Sequence, residues 1–148
     1  MKPTQLIDYF QRARKDTALS VIEGVQALKH AVRFGAEFEQ ITCSDRNHLQ
    51  QLLHELAPDV EEAILSQTQE VNAEIFAKLS PQPPRTKVIA IAKRRNYAIE
   101  EIDQQKPIVF LEKPRDLENI GAVIRVAAAS DVAAVIANGA VDIWHPAI

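Results

Sequence analysis

Apolar residues recur at two periods along the chain, and the two periods divide it into helices and strands. Leu6, Ile7, Phe10 and Ala13 fall at helical spacing in TQLIDYFQRARK, residues 4–15, with Arg12, Arg14 and Lys15 on the opposite side. ALSVIEG reads as a short strand running into a helix, GVQALKHAVRFG, whose Val25, Leu28, Ala31 and Val32 share a face and which Gly35 would stop. EFEQITC alternates at Phe38, Ile41 and Cys43, as a strand does. DRNHLQQLLHELA predicts a helix with Asp45 as its N-cap and Leu49, Leu52, Leu53 and Leu56 turned inward. DVEEAILS is a strand candidate. QEVNAEIFAKLS predicts a helix stopped by Pro81, Pro83 and Pro84, and TKVIAIAKR a buried strand.

This alternation is the mark of an α/β sandwich. A polar connector, RRNYAIEEIDQQKP, interrupts it, and its shift in composition places a domain boundary near residue 103. The domains expected are 1–103 and 104–148. In the second, strand PIVFLEK, helix NIGAVIRVAAA at about 119–129 and strand VAAVIAN predict a parallel pair joined by a crossover. An isolated unit of this kind leaves an unpaired edge and an uncovered apolar face, so it should lean on another domain or chain.

Composition narrows the class. The 148 residues are 47% hydrophobic and 25% charged, a globular balance. A net charge of -3 gives no overall attraction to nucleic acid, and residues 1–105 hold 13 Lys and Arg against 15 Asp and Glu. A single cysteine, Cys43, excludes an internal disulfide and reads as a buried structural thiol. With no apolar leader and no run long enough for a membrane span, a cytoplasmic protein is expected.

Several chemistries find no support. The four glycines make neither a dinucleotide fingerprint nor a P-loop, and Gly-x-Ser-x-Gly is absent. His48 and His54, six apart on a predicted helix, face different ways, so no metal site is expected. The candidate loop is KPRDLENIG, because ligands of parallel sheets lie at the carboxyl ends of strands. There Asn119 would cap the helix or bind a ligand, and Gly121 would permit close backbone approach. Arg125 could lean back toward the same end. On spacing alone, a cap, a packing contact and a solvated charge explain the three residues as well. Basic residues gather at Arg12, Arg14 and Lys15 and again at Lys93, Arg94 and Arg95, with Tyr97 close by; Lys29, His30 and Arg33 share one helix. Such patches with an aromatic suit structured RNA, or are ordinary solvated charges.

The series Asn119-x-Gly121-x-x-x-Arg125-x-Ala127 between two strands, followed by DIWHPAI, resembles the start of the SPOUT-class RNA methyltransferase domain in its SpoU/TrmH branch. The N-terminal portion is similar, more loosely, to that family's small ribosomal-protein-like RNA-binding domain, with SVIEGVQAL and KVIAIAKR as its first and last strands. The resemblance implies methyl transfer from S-adenosylmethionine to a ribose 2′-hydroxyl of ribosomal or transfer RNA, and a homodimer in the complete enzyme. It makes Arg125 and Asn119 the catalytic residues and Lys93, Arg94, Arg95, Arg12, Arg14 and Lys15 the RNA-binding ones. In the family, a further Arg-x-Ser-x-Gly motif and the knot that binds the cofactor follow the aromatic-Pro step. The cofactor site is therefore expected beyond Ile148, and these residues read as an incomplete methyltransferase, inactive alone. The alternatives are a non-catalytic RNA-binding module and a small α/β protein that mediates oligomerisation.

Overall fold

A computed structural model describes all residues, Met1–Ile148. It resolves into two compact units, Met1–Arg94 and Arg95–Ile148, so the polar connector belongs with the second.

The first unit is a four-stranded sheet between two helical layers. Its elements are α1 (Pro3–Ala13), β1 (Leu19–Glu23), α2 (Val25–Arg33), β2 (Phe38–Cys43), α3 (Arg46–Leu56), α4 (Glu61–Leu65), β3 (Thr68–Glu70), α5 (Ala73–Ala77) and β4 (Val88–Lys93). The strand order is β1-β4-β2-β3. β4 runs antiparallel to both β1 and β2, and β3 parallel to β2. β4 is the spine because its pleat feeds two cores. Val88 and Ala90 pack with Val25, Leu28, Leu49, Leu53 and Ile64 from α2, α3 and α4. Ile89 and Ile91 face the other way, against Leu6, Phe10 and Ala13 of α1 and Phe76 and Leu79 around α5. That double burial explains the unbroken apolar run of β4.

Local chemistry sets the ends. Asp45 caps α3, its carboxylate accepting the His48 N–H at 2.9 Å. Gly35 closes α2 at φ 74°, while the Ala36 N–H donates to the Ala31 carbonyl at 2.9 Å. The strand expected at DVEEAILS is instead α4, with Val60 at its N-cap; Val60 and Ile64 both reach the core, a spacing that suits one helical turn as well as a strand. The helix expected over QEVNAEIFAKLS is shorter, because Gln69 and Glu70 join β3 and Asn72 starts α5 by accepting the Ile75 N–H at 2.8 Å. Leu56 is exposed rather than inward.

The second unit holds a 3-10 turn (Ile99–Glu101), β5 (Ile108–Leu111), α6 (Leu117–Ala129) and β6 (Ala134–Ala137). β5 and β6 pair in parallel, Ile108 opposite Ala134 through Leu111 opposite Ala137. Ile120 and Ala127, two turns apart on α6, are buried. Ile108 and Phe110 alternate outward from β5 and stay 46% and 58% exposed, so the uncovered apolar face expected from sequence is present. No helix is long and apolar enough to cross a membrane.

Candidate active site and RNA-contact residues

α6 begins at Leu117, two residues earlier than its apolar pattern suggests. Its N-cap is Asp116, whose Oδ1 accepts the Asn119 N–H at 2.8 Å. Asn119 is therefore not the cap, and its own amide, on the exposed first turn, makes no hydrogen bond within the chain. Arg125 is also exposed and has no ion-pair or hydrogen-bond partner. Six helical residues separate the two by about 9 Å along the axis and about 120° around it. Arg125 instead shares a face with Gly121, four residues before it.

Gly121 does admit a close backbone approach. A Cβ there would lie 2.4 Å from the Ile148 carbonyl oxygen, so only glycine fits beneath that segment. The loops after β5 and β6 fasten to each other. The Lys113 N–H donates to Asn138 Oδ1 at 2.7 Å, and a Cβ on Gly139 would stand 3.2 Å from the Lys113 Cα. These contacts join the two strand-end loops, and no residue here is assigned to S-adenosylmethionine.

The backbone of the second basic cluster adjoins the start of β1, some residues after the first cluster. β1 and β4 pair Leu19 with Lys93, and the Arg94 N–H donates to the Ala18 carbonyl at 2.8 Å. The six cations differ sharply in freedom. Arg14 is clamped: its Nη2 donates to Glu23 Oε1 at 2.6 Å and to the Leu79 carbonyl at 3.2 Å. Lys93 pairs with Glu37 and, at 3.4 Å, with Glu39, and these bonds raise its pKa. Arg94 is half-buried, its Nε on the Leu19 carbonyl at 2.6 Å. Arg12 and Lys15 are exposed and unpaired. Arg95 lies over the Tyr97 ring, 5.0 Å from its centroid.

Sequence reasoning missed the acids that neutralise Lys93. The signal was Glu37-Phe38-Glu39, whose carboxylates flank an inward Phe38 on the strand beside β4. Tyr9 joins this edge by donating to Glu39 Oε2 at 3.4 Å, and burial, with Glu39, raises its pKa. Cys43 is fully buried, and burial pushes its thiol up, which suits a structural residue. No group of His, Cys, Asp or Glu could hold a metal. Lys29, His30 and Arg33 do lie on α2; Arg33 is held by both carboxylate oxygens of Asp59, at 2.7 and 2.9 Å.

No protein-family model and no curated protein matches the chain. Solved structures do. An AdoMet-bound rRNA methyltransferase from Sinorhizobium meliloti aligns at 20% identity and TM-score 0.66, covering 98% of this chain and 54% of that one. An RNA 2′-O ribose methyltransferase aligns at 24% identity and TM-score 0.62, covering 98% and 55%. The SpoU methyltransferase AviRb from Streptomyces viridochromogenes, in complex with AdoMet, aligns at 20% identity and TM-score 0.68, covering 97% and 55%. The chain thus spans about half the length of the solved structures it matches, and over that half it has the fold of the SpoU-type methyltransferases.

Proposed function

We propose that these residues are the RNA-binding domain and the opening strand–helix–strand of an RNA 2′-O-ribose methyltransferase of the SpoU/TrmH branch. One observation carries the reading. The Asn119–Gly121–Arg125 series falls on the helix directly after a parallel strand, in a chain whose fold matches such enzymes across nearly all its length.

Arg125 is the catalytic residue in this reading. A ribose hydroxyl is a poor nucleophile, and an adjacent guanidinium favours the alkoxide that develops on it while gripping the neighbouring phosphate. Its high pKa argues against a role as base. Exposure without an internal partner leaves Arg125 free for that contact. Asn119 holds the RNA backbone from the first turn, and Arg12 and Lys15 supply phosphate contacts. S-adenosylmethionine would donate the methyl group, from residues other than these. The exposed Ile108 and Phe110 support a face that another element or a second copy covers.

The test is methyl transfer to ribosomal and transfer RNA by the full-length protein, read as alkali-resistant dinucleotides, since a methylated 2′-oxygen cannot attack its phosphate. Arg125→Ala should abolish the product and leave folding intact; an unaltered rate removes Arg125 from catalysis. A second reading, a non-catalytic RNA-binding module, is favoured by the joined strand-end loops. It gains if RNA binds and no methylated product forms.

A further inference from the structure

The stretch from Arg94 to Ala98 has no regular structure, yet its side chains are not arranged at random. Tyr97 is 63% exposed. The Arg95 guanidinium sits 5.0 Å from its ring centroid, within cation–π range. Arg95 has no carboxylate partner, unlike Lys93, whose charge Glu37 and Glu39 offset. The turn beyond is fixed: the Ala98 N–H donates to Glu101 Oε2 at 2.7 Å.

We propose that Tyr97 and Arg95 form a stacking platform for an unpaired nucleobase of RNA, the ring taking the base and the guanidinium the flanking phosphate. The inference rests on the RNA-substrate reading above and names how the RNA is held. An exposed aromatic ring gives every base a face to stack on, and an unneutralised guanidinium beside it matches the phosphate that each nucleotide carries. Arg95 also restricts the ring before RNA arrives, which lowers the ordering cost of binding. The partner is a single-stranded or looped segment, because bases within an A-form duplex keep their faces covered.

Fluorescence anisotropy with a short oligouridylate and with a blunt RNA duplex, over a salt series, tests this. Tyr97→Ala should weaken single-strand binding by about 5- to 150-fold, the loss of one stacked base, with the salt slope unchanged. Tyr97→Phe should bind as the wild type does. Arg95→Ala should weaken binding and reduce the salt slope by about one. Both side chains are exposed, so melting should not shift. Single-strand affinity of Tyr97→Ala within about twofold of wild type would overturn the platform, as would an equal loss for duplex. If Arg12→Ala and Lys15→Ala weaken RNA binding while Tyr97→Ala does not, only this inference falls. If the wild type binds no RNA, the functional reading falls with it.

Discussion

Replacing Arg14 by alanine distinguishes a structural clamp from a phosphate ligand. Arg14 and Glu23 are only 23% and 21% exposed, so their 2.6 Å contact is partly withdrawn from water. Alanine removes that bond and the one to the Leu79 carbonyl at 3.2 Å. Glu23 keeps one partner, the Ser80 hydroxyl at 2.8 Å. Hydrogen bonds to charged groups contribute about 1.5–3 kcal/mol, and the residual solvent access argues for the lower part of that range. Stranding the Leu79 carbonyl adds to the loss, giving about 2 kcal/mol in all. For a unit of this size that is a drop in melting temperature of roughly 10 °C. The assay is urea unfolding by far-UV circular dichroism, with hydrogen exchange of the β1 and β4 amides to isolate the first unit, since Trp144 reports on the second. RNA affinity should stay within about twofold, as the guanidinium was never available to phosphate. An unchanged urea midpoint, together with a tenfold loss of RNA affinity and a salt slope smaller by about one, would refute the clamp.

Three further outcomes follow from local chemistry. The hydrogen bonds from Arg33 hold the Asp59 carboxyl below its usual range, so this pair's stabilisation is complete above the unfolded carboxylate value and is lost as pH falls through the lower folded one; Asp59→Asn should flatten the stability profile in that acidic window, and an unchanged profile would show that the pair does not couple to folding. Cys43, buried and with its thiol pushed up, should resist a thiol-reactive disulfide at pH 8 until denaturant opens the first unit; rapid native labelling would contradict its burial. Asp116→Ala should destabilise α6 by about 1 kcal/mol and speed exchange of its first-turn amides, whereas Asn119→Ala should not, which places the cap by measurement.

Much of the first unit was legible because its longer elements carry a full period. α2, α3 and β4 each repeat their apolar spacing often enough to declare both type and buried face. The short elements did not. α4 has five residues, one turn and a little more, and its Val60 and Ile64 fit a strand as readily as a helix until the core chooses. β3, Thr-Gln-Glu, contains no apolar residue; its strand character comes from the parallel ladder to β2, which no local propensity encodes. The same limit governed the basic clusters. Their residue types were visible, but their freedom was not, because Glu37, Glu39, Glu23 and the Leu79 carbonyl reach them across the fold.

The second unit shows why its motif could be read and its neighbourhood could not. Asn119, Gly121 and Arg125 stand out because they interrupt an otherwise apolar helix that follows a strand. Gly121 earns its place through the Ile148 carbonyl, a contact no spacing reveals. A two-stranded sheet with one covering helix is marginal alone, and here Phe110 and Val126 remain more than half exposed. Apolar side chains left in water on β5 and α6, beside a partner-free Arg125, are what a unit would show if its remaining surfaces were reserved for another element and for RNA. On the proposed reading, the exposed apolar groups would serve assembly and the exposed guanidinium the chemistry. Charge reversal at Arg125 should therefore disturb catalysis and the RNA contact it makes, whereas a polar residue at Phe110 should disturb association and leave both unchanged.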